Sequence, residues 1–148
     1  MGALANDGTC VVDENLIQSL RLNEETLKDV IHRESEEIRR REETYRDGRP
    51  QADVAGKIVI LIDDGLATGA TMRAAATALR RRNPAEIVVA VPVAARQTCL
   101  TLRQVADRVV CLSTPAPFVA VGLYYENFDQ TSDDEVRRLL AARPGCRA

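Results

Sequence analysis

Two adjacent acidic residues stand directly after an apolar run near the middle of this sequence, and a threonine-rich segment follows them. The apolar run is Ile58–Ile62, the acidic pair is Asp63 and Asp64, and the segment Thr68–Thr71 reads Thr-Gly-Ala-Thr. A strand that ends at the acidic pair would carry both carboxylates to one edge of a sheet, where their oxygens can accept hydrogen bonds from hydroxyl groups. A helix that begins at the threonine segment would point unpaired N–H groups outward, and such groups favour a phosphate. The spacing therefore predicts an anion site beside a hydroxyl-binding site.

Each residue of the threonine segment suits a phosphate in its own way. Gly69 lets the backbone approach the anion without a Cβ clash, and Thr68 and Thr71 add hydroxyl donors. The two carboxylates would repel a second phosphate unless a metal screened it, but they can bind the vicinal hydroxyls of a sugar. A ribose 5-phosphate satisfies both halves of the site. The alternative interpretation is that Asp63 and Asp64 only end a strand and cap a turn.

The elements around these residues alternate between short apolar runs and helical patterns. Such alternation predicts an α/β fold with a doubly wound, mainly parallel sheet flanked by helices, in which the carboxyl ends of all strands meet at one edge. The predicted elements are strands at Ile58–Ile62, Ile87–Val93 and Val109–Leu112, and helices at about Gly69–Arg82 and Arg96–Ala106.

The first third of the chain predicts a hairpin and two helices. Asn-Asp-Gly at residues 6–8 favours a tight turn between two short strands within Ala3–Val12. Asp13 can cap a short helix that ends at Leu20, and Asn23 can cap a longer helix that ends at about Glu43. The longer helix has paired charges at i,i+4 spacing on its outer half: Glu36 with Arg40, Glu37 with Arg41, and Glu42 with Arg46.

Glycine and proline then end regular structure in the segment Arg46–Pro50, which predicts a polar loop that carries two arginines, Arg46 and Arg49. Near the other end of the chain, an aromatic-rich stretch covers Phe118–Phe128. A final helix is predicted to begin near Ser132, because three acidic residues follow in what would be its first turn.

The string from Ile58 to Met72 resembles the PRPP-binding motif of the type I phosphoribosyltransferases, where PRPP is 5-phosphoribosyl-1-pyrophosphate. That family has a hydrophobic strand, two acidic residues and a Thr-Gly-x-Thr loop in the same order. The resemblance implies that Asp63 and Asp64 hold the ribose hydroxyls. It further implies that the loop residues cradle the 5-phosphate; these are Ala67, Thr68, Gly69, Ala70 and Thr71. One position departs from the family pattern: Gly65 replaces a larger residue, which predicts a looser turn.

The resemblance extends over nearly the whole chain. The arginine-rich segment before the motif strand matches the flexible catalytic loop of the family, so Arg46 and Arg49 are candidates to contact pyrophosphate. The segment Pro117–Glu126 looks like the late segment that covers the base in purine-type members. Phe118 would then stack on a nucleobase, although a core aromatic is an equally good interpretation. The chain is also similar to a bacterial group of phosphoribosyltransferase-like proteins.

The resemblance implies an enzyme that transfers the phosphoribosyl group of PRPP to a nitrogenous base and releases pyrophosphate, with magnesium delivered together with PRPP and no dedicated metal ligands. A non-catalytic module or regulator that binds PRPP or a nucleotide is the alternative. A nucleoside triphosphatase is disfavoured because the sequence has no GxxxxGK[ST] loop. A phospho-acceptor receiver domain is disfavoured because no acidic pair follows an earlier strand.

Composition limits the remaining classes. The 148 residues, of which 45% are hydrophobic, suffice for one domain over residues 1–148. The net charge of -2 disfavours nucleic-acid binding, and no apolar stretch reaches the length of a membrane span or a signal peptide, which predicts a cytoplasmic protein. The four cysteines form no CxxC pair and His32 is the only histidine, so a zinc cluster or histidine-dependent catalysis is not expected.

The family also has an upstream βα unit whose turn binds pyrophosphate with a basic residue and glycines. Residues 1–12 contain no arginine and no lysine, so this unit is expected to be missing and the chain to be N-terminally shortened. An exposed strand edge and an uncovered apolar face would follow. Both would favour a homo-oligomer or poor solubility.

Overall fold

The structure is a computed structural model that describes residues 2–5, 10–12, 23–46 and 50–142. The described strands and helices follow one another as β1 (Gly2–Leu4), β2 (Cys10–Val12), α1 (Glu24–Arg46), β3 (Ile58–Ile62), α2 (Ala70–Arg80), β4 (Glu86–Val93), α3 (Arg96–Leu102), β5 (Arg108–Ser113), a 3-10 turn (Val121–Tyr124) and α4 (Asp133–Ala141).

The central sheet is parallel, with the strand order β3-β4-β5. Val59 pairs with Ile87, and Val89 pairs with Val109, so the apolar runs of the three strands lie in register. Helix α2 connects β3 to β4 and α3 connects β4 to β5, as the alternating pattern predicted. The α/β class and the parallel, helix-flanked sheet are therefore confirmed, and all three strands lie within one residue of their predicted bounds at each end.

One face of the sheet forms the core, and the opposite face is exposed along β3, although Val88 on β4 is buried there. Ile87, Val89 and Leu102 are fully buried between the sheet and the helices α2 and α3. On β3 the alternate residues Ile58, Ile60 and Ile62 are 63%, 58% and 77% exposed, although side chains this apolar are normally buried. The expected uncovered apolar face is thus present in the described structure, with β3 at one edge of the described sheet.

The N-terminal strands β1 and β2 form the predicted antiparallel pair, in which Leu4 lies opposite Cys10, and the pair packs against α2. The turn between the strands and the helix predicted at Asp13–Leu20 lie outside the described residues. Helix α1 has its predicted N-cap, because Asn23 Oδ1 accepts a hydrogen bond from the N–H of Thr26 over 2.8 Å.

The end of α1 and one of its charge pairs differ from the prediction. The helix continues through Arg46, three residues beyond Glu43, so Arg46 belongs to the helix and not to the following loop. Its Nε lies 3.2 Å from Glu42 Oε1, one of the predicted i,i+4 pairs, and the Glu37–Arg41 pair is also confirmed at 2.7 Å.

The predicted pair between Glu36 and Arg40 is wrong. Arg40 instead contacts Glu37 at 2.7 Å and Asp133 of α4 at 2.9 Å, and Glu36 lies 3.7 Å from His32. Arg40 therefore bridges Glu37 on its own helix and Asp133 of α4, whose carboxylate also accepts a hydrogen bond from the hydroxyl of Tyr45 over 2.5 Å.

Of two further helix boundaries, one differs from the prediction and one agrees with it. Helix α3 ends at Leu102, four residues before the predicted Ala106, and a turn follows. That turn brings Asp107 to the start of the sheet, where its carboxylate accepts hydrogen bonds from Ile87 N over 2.7 Å and from Arg80 over 2.8 Å. Helix α4 begins where predicted, capped by Ser132.

No helix in the described ranges is long and apolar enough to cross a bilayer.

Candidate functional site

The carboxyl end of β3 presents the two acidic residues as a tight turn. Asp63 Oδ1 accepts a hydrogen bond from the N–H of Asp64 over 3.0 Å, and Asp63 is half-buried while Asp64 is exposed. Burial raises the pKa of the Asp63 carboxyl above its ordinary value, the hydrogen bond from Asp64 opposes that change, and the nearby charge of Asp64 adds to it. The ionised carboxylate is therefore less well solvated here than in water, and hydroxyl donors from a ligand would offset that loss.

The segment after the acidic turn is held to the end of β4. Leu66 is buried, its N–H donates to Val93 O over 3.0 Å, and its carbonyl accepts from Ala95 N over 3.0 Å. These two bonds continue the parallel pairing one step beyond the strands, through the bridge between Leu66 and Ala94. The loop therefore starts at a residue held by two main-chain hydrogen bonds, and helix α2 begins after three further residues.

Helix α2 begins at this loop without a side-chain cap. Gly69 is the N-cap residue and has a φ of 70°, a left-handed conformation that glycine adopts without a steric penalty. The Oγ1 of Thr68 accepts a long hydrogen bond of 3.4 Å from Ala70 N, and the first turn of α2 contains no acidic residue. Thr68 and Thr71 are exposed, so their hydroxyl groups are accessible to a ligand, and the N–H groups of the first turn of α2 have no acceptor within the helix itself.

A buried threonine of helix α3 forms a hydrogen bond to this loop. The hydroxyl of Thr98, a residue only 8% exposed, donates to Ala67 O over 2.5 Å. A β-carbon at position 69 would lie 2.6 Å from Thr98 Cγ2. Glycine at position 69 is thus required both by its backbone conformation and by the close approach of α3.

The late stretch of the chain packs directly on the acidic turn. The hydroxyl of Tyr125 donates a hydrogen bond to the main-chain carbonyl of Asp64 over 2.5 Å. A β-carbon at Gly65 would lie 2.6 Å from Val121 Cγ1 and 3.0 Å from Val93 Cγ1, and Gly65 is buried. The looser turn predicted from the absence of a side chain at position 65 is therefore wrong, because Val121 fills that space.

Phe118 lies in the same stretch and is half-buried. Its ring stacks on Tyr124, with centroids 5.7 Å apart and planes inclined by 22°, and the hydroxyl of Tyr124 donates to Pro117 O over 3.2 Å. Phe118 does not belong to the buried core cluster, so the interpretation as a core aromatic is not supported. The structure places an aromatic pair in the stretch that also contacts the acidic turn.

Similarity to known proteins identifies the family of this chain. The model of the phosphoribosyl transferase domain family matches residues 11–127, which include the acidic turn, the threonine loop and most of the late stretch. The chain belongs to this family.

Individual relatives agree with the assignment of this phosphoribosyl transferase domain. Two Mycobacterium tuberculosis proteins, from strains CDC 1551 and H37Rv, each carry the name "Putative phosphoribosyl transferase" and are 40% identical over 139 residues. The match covers 94% of this chain but 31% of each relative, so the chain spans about a third of their length.

A solved structure shares the fold. The crystal structure of TT1426 from Thermus thermophilus matches with a TM-score of 0.72 and 36% identity, over 93% of this chain and 64% of the other. Both kinds of relative therefore contain residues beyond the matched part.

Of the two arginines predicted to contact pyrophosphate, only Arg46 lies within the described residues of the phosphoribosyl transferase domain, and it is held elsewhere. Arg46 is paired with Glu42 and lines a groove of about 630 Å³ between α1 and α4, together with Tyr45 and Leu140. Arg49 lies outside the described residues. Within the described ranges, no hydrogen bond or ion pair joins Arg46 to Asp63 or Asp64, so a role in binding pyrophosphate stays a prediction.

In the described part of the chain, no group of three or more histidine, cysteine, aspartate or glutamate residues is arranged to hold a metal ion. Cys99 is buried and Cys111 is half-buried, and both are free thiols. Burial raises the pKa of the Cys99 thiol, which favours the inert thiol form.

Sequence reasoning missed three residues that shape this site: Thr98, Val121 and Tyr125. Thr98 had one visible signal, since it is a hydroxyl residue next to Cys99 and one turn before Leu102 on the buried face of α3. Val121 and Tyr125 lie in the stretch that the resemblance assigned to the base, but their contacts with the acidic turn had no local signal, because they reach it from more than fifty residues further along the chain.

Proposed function

We propose that this domain binds PRPP and transfers its phosphoribosyl group to a nitrogenous base, with release of pyrophosphate. The observation that carries the proposal is the adjacency of two unlike sites. Asp63 and Asp64 directly follow β3, and the uncapped N-terminus of α2 begins six residues after Asp64, at Ala70, between the exposed Thr68 and Thr71. A ribose phosphate has hydroxyl groups for the first site and a dianion for the second.

Each half of the ligand would be bound by groups that are already in place. Thr98 and Leu66 fix the loop from two sides, so its N–H groups need little reorganisation to bind the 5-phosphate. The half-buried Asp63 would accept hydrogen bonds from the ribose hydroxyls, which favours its ionised form and offsets the effect of burial.

The proposed reaction is a displacement at C1 of the ribose. The C1–O bond to pyrophosphate breaks with its electron pair on the leaving oxygen, and a nitrogen of the base forms the new bond to C1. Positive charge that develops on the sugar would be stabilised by the nearby carboxylates of Asp63 and Asp64. These residues position the ribose and supply negative charge, and no covalent intermediate with the protein is required.

The proposal includes a magnesium ion that enters the site bound to PRPP. Magnesium binds substrate phosphates and keeps several of its waters, so the proposal assigns it no dedicated ligand on the protein. When bound, the ion would neutralise charge on the leaving pyrophosphate. The acceptor base would lie against the late stretch, where the half-buried ring of Phe118 offers an aromatic surface.

A PRPP-binding or nucleotide-binding module without turnover is the second candidate. It is favoured by one observation: Arg46, a candidate to contact pyrophosphate, forms an ion pair with Glu42 over 3.2 Å. A site that binds ribose 5-phosphate but lacks cations for the leaving pyrophosphate would bind without catalysis. Release of pyrophosphate from PRPP in the presence of a panel of bases distinguishes this candidate from the transferase.

Isothermal titration of PRPP with magnesium, ribose 5-phosphate and inorganic phosphate into the chain tests the binding site. Variant Asp63→Asn/Asp64→Asn is expected to lose most of its affinity for ribose 5-phosphate and to keep its affinity for inorganic phosphate. The matched control is Asp129→Asn/Asp134→Asn, which removes the same charge from two exposed carboxylates outside the turn. That control should bind all three ligands as the wild type does.

Two other results would contradict the proposal. If the folded wild-type chain binds none of the three ligands, the proposed function is wrong. If the control loses affinity as much as the Asp63→Asn/Asp64→Asn variant, the effect comes from net charge and not from contact with the ribose.

A further inference from the structure

A side-chain hydrogen bond joins the late stretch to the acidic turn. The hydroxyl of Tyr125 donates to the carbonyl oxygen of Asp64 over 2.5 Å, across 61 positions of sequence. This carbonyl belongs to the peptide group between Asp64 and Gly65, in the middle of the turn. The bond therefore restrains the rotation of that peptide group, and with it the direction in which the Asp63 and Asp64 side chains point.

Neighbouring side chains pack around this hydrogen bond and hold its two partners in place. Val121, one turn before Tyr125, fills the space above Gly65, where even a β-carbon would lie 2.6 Å from Val121 Cγ1. The ring of Tyr125 lies 5.2 Å from the ring of Phe128, measured between centroids. Tyr125 thus contacts an aromatic ring while its hydroxyl reaches the turn.

The turn otherwise has few restraints of its own. The bond from Asp64 N to Asp63 Oδ1 lies within the turn and engages a carboxylate oxygen that a ligand would also use. Leu66 and Thr98 restrain the residues that follow, on the phosphate side of the site. Among the described residues, Tyr125 is the one whose side chain hydrogen-bonds to the main chain of the acidic pair from outside the turn.

We infer that Tyr125 is a positioning residue for the sugar, which fixes the acidic turn in the orientation that accepts the ribose hydroxyls and couples that turn to the stretch proposed to cover the base. This inference rests on the proposed function. Its specific consequence is a separation of the two halves of the site: loss of the Tyr125 hydroxyl weakens binding of the sugar and leaves binding of the phosphate intact.

Tyr125→Phe removes the hydroxyl and keeps the ring, and Tyr124→Phe is its matched control. Tyr124 also donates its hydroxyl to a main-chain carbonyl in the same stretch, that of Pro117 over 3.2 Å, but does not contact the acidic turn through it. We expect Tyr125→Phe to bind ribose 5-phosphate about fivefold more weakly than the wild type, the effect of one hydrogen bond, and to bind inorganic phosphate equally well. Tyr124→Phe should leave both affinities unchanged.

Hydrogen–deuterium exchange of the ligand-free chain gives a second readout that does not depend on the proposed function. Tyr125→Phe should speed exchange in a peptide that contains Asp63, Asp64 and Gly65, whereas Tyr124→Phe should not.

The outcomes separate the two proposals. Equal weakening of ribose 5-phosphate and phosphate would show a general structural role and overturn the inference, and so would unchanged affinities in Tyr125→Phe. If the wild-type chain does not bind ribose 5-phosphate, the proposed function and the sugar-positioning role both fail, and the exchange rates then show only whether Tyr125 fixes the turn.

Discussion

The γ-methyl group of Thr98 occupies the space that a side chain at position 69 would need, while its hydroxyl holds the carbonyl of Ala67 over 2.5 Å. One side chain from α3 therefore fixes two consecutive parts of the loop before α2. Because rotation of the methyl group away from position 69 would break the bond to Ala67, the loop and α3 are expected to respond to mutation as one unit.

Gly69→Ala is expected to destabilise the fold for two reasons that a control can separate. The φ of 70° costs a residue with a side chain about 1–2 kcal/mol, and the new β-carbon would lie 2.6 Å from Thr98 Cγ2. Gly56→Ala is the control, because Gly56 has a φ of 67° and nothing within 4 Å of a β-carbon. In urea unfolding, Gly69→Ala should lose about 1 kcal/mol or more beyond the loss in Gly56→Ala. Equal losses would show that the contact with Thr98 carries no strain.

Thr98→Val keeps the shape of the side chain and removes the donor to Ala67. We expect the free energy of unfolding to fall by about 1 kcal/mol, and the affinity for inorganic phosphate to fall with it because the loop loses a restraint. Thr101→Val is the control on the same helix, since the Thr101 hydroxyl donates to Gln97 O over 3.0 Å, away from the loop. A Thr98→Val variant that binds phosphate as tightly as Thr101→Val would show that the loop does not depend on this bond.

Local patterns predicted the framework of this site, and distant contacts set its detail. The apolar run at Ile58–Ile62, the acidic pair and the threonine loop are contiguous, so hydrophobic periodicity and helix-start signals were enough to place them. The early end of α3 at Leu102 was not predictable in this way, because it depends on where Asp107 meets Ile87 in the folded sheet.

The same distinction explains the prediction that failed at the turn. From sequence, Gly65 signifies only backbone freedom. In the fold it is a packing position, because Val121 arrives there from a segment whose position follows from the whole course of the chain after β5.

Gly65→Ala tests this packing by overfilling the turn. A β-carbon 2.6 Å from Val121 Cγ1 forces a shift, and overpacking of this kind costs about 1–3 kcal/mol. The double variant Gly65→Ala/Val121→Ala should be less destabilised than the sum of the two single variants, because Val121→Ala removes both methyl groups that crowd the position. Thermal or urea unfolding of the four proteins in this cycle measures the coupling. Strict additivity would mean that Val121 does not determine the conformation of the turn.

Acid should weaken the contact between α1 and α4 through Asp133. The hydroxyl of Tyr45, followed by the guanidinium of Arg40, lowers the pKa of the Asp133 carboxyl below its ordinary value of 3.8. A carboxyl with a lowered pKa in the folded protein stabilises it fully above the ordinary value, and this contribution is lost as the pH falls below about 3.8 through the lowered pKa. Asp133→Asn should therefore be less stable than the wild type at neutral pH and should lose less stability on acidification.

The control for this experiment is Asp134→Asn, which removes a charge from the same first turn of α4 without touching α1. It should retain the acid dependence of the wild type. Arg40 and Arg41 also lower the pKa of Glu37 from 4.5 to about 2, so some loss of stability in acid should remain in both variants. Urea unfolding in steps from about pH 7 to about pH 3 measures the difference. If Asp133→Asn and the wild type lose the same free energy over that range, Asp133 does not stabilise the contact between the two helices.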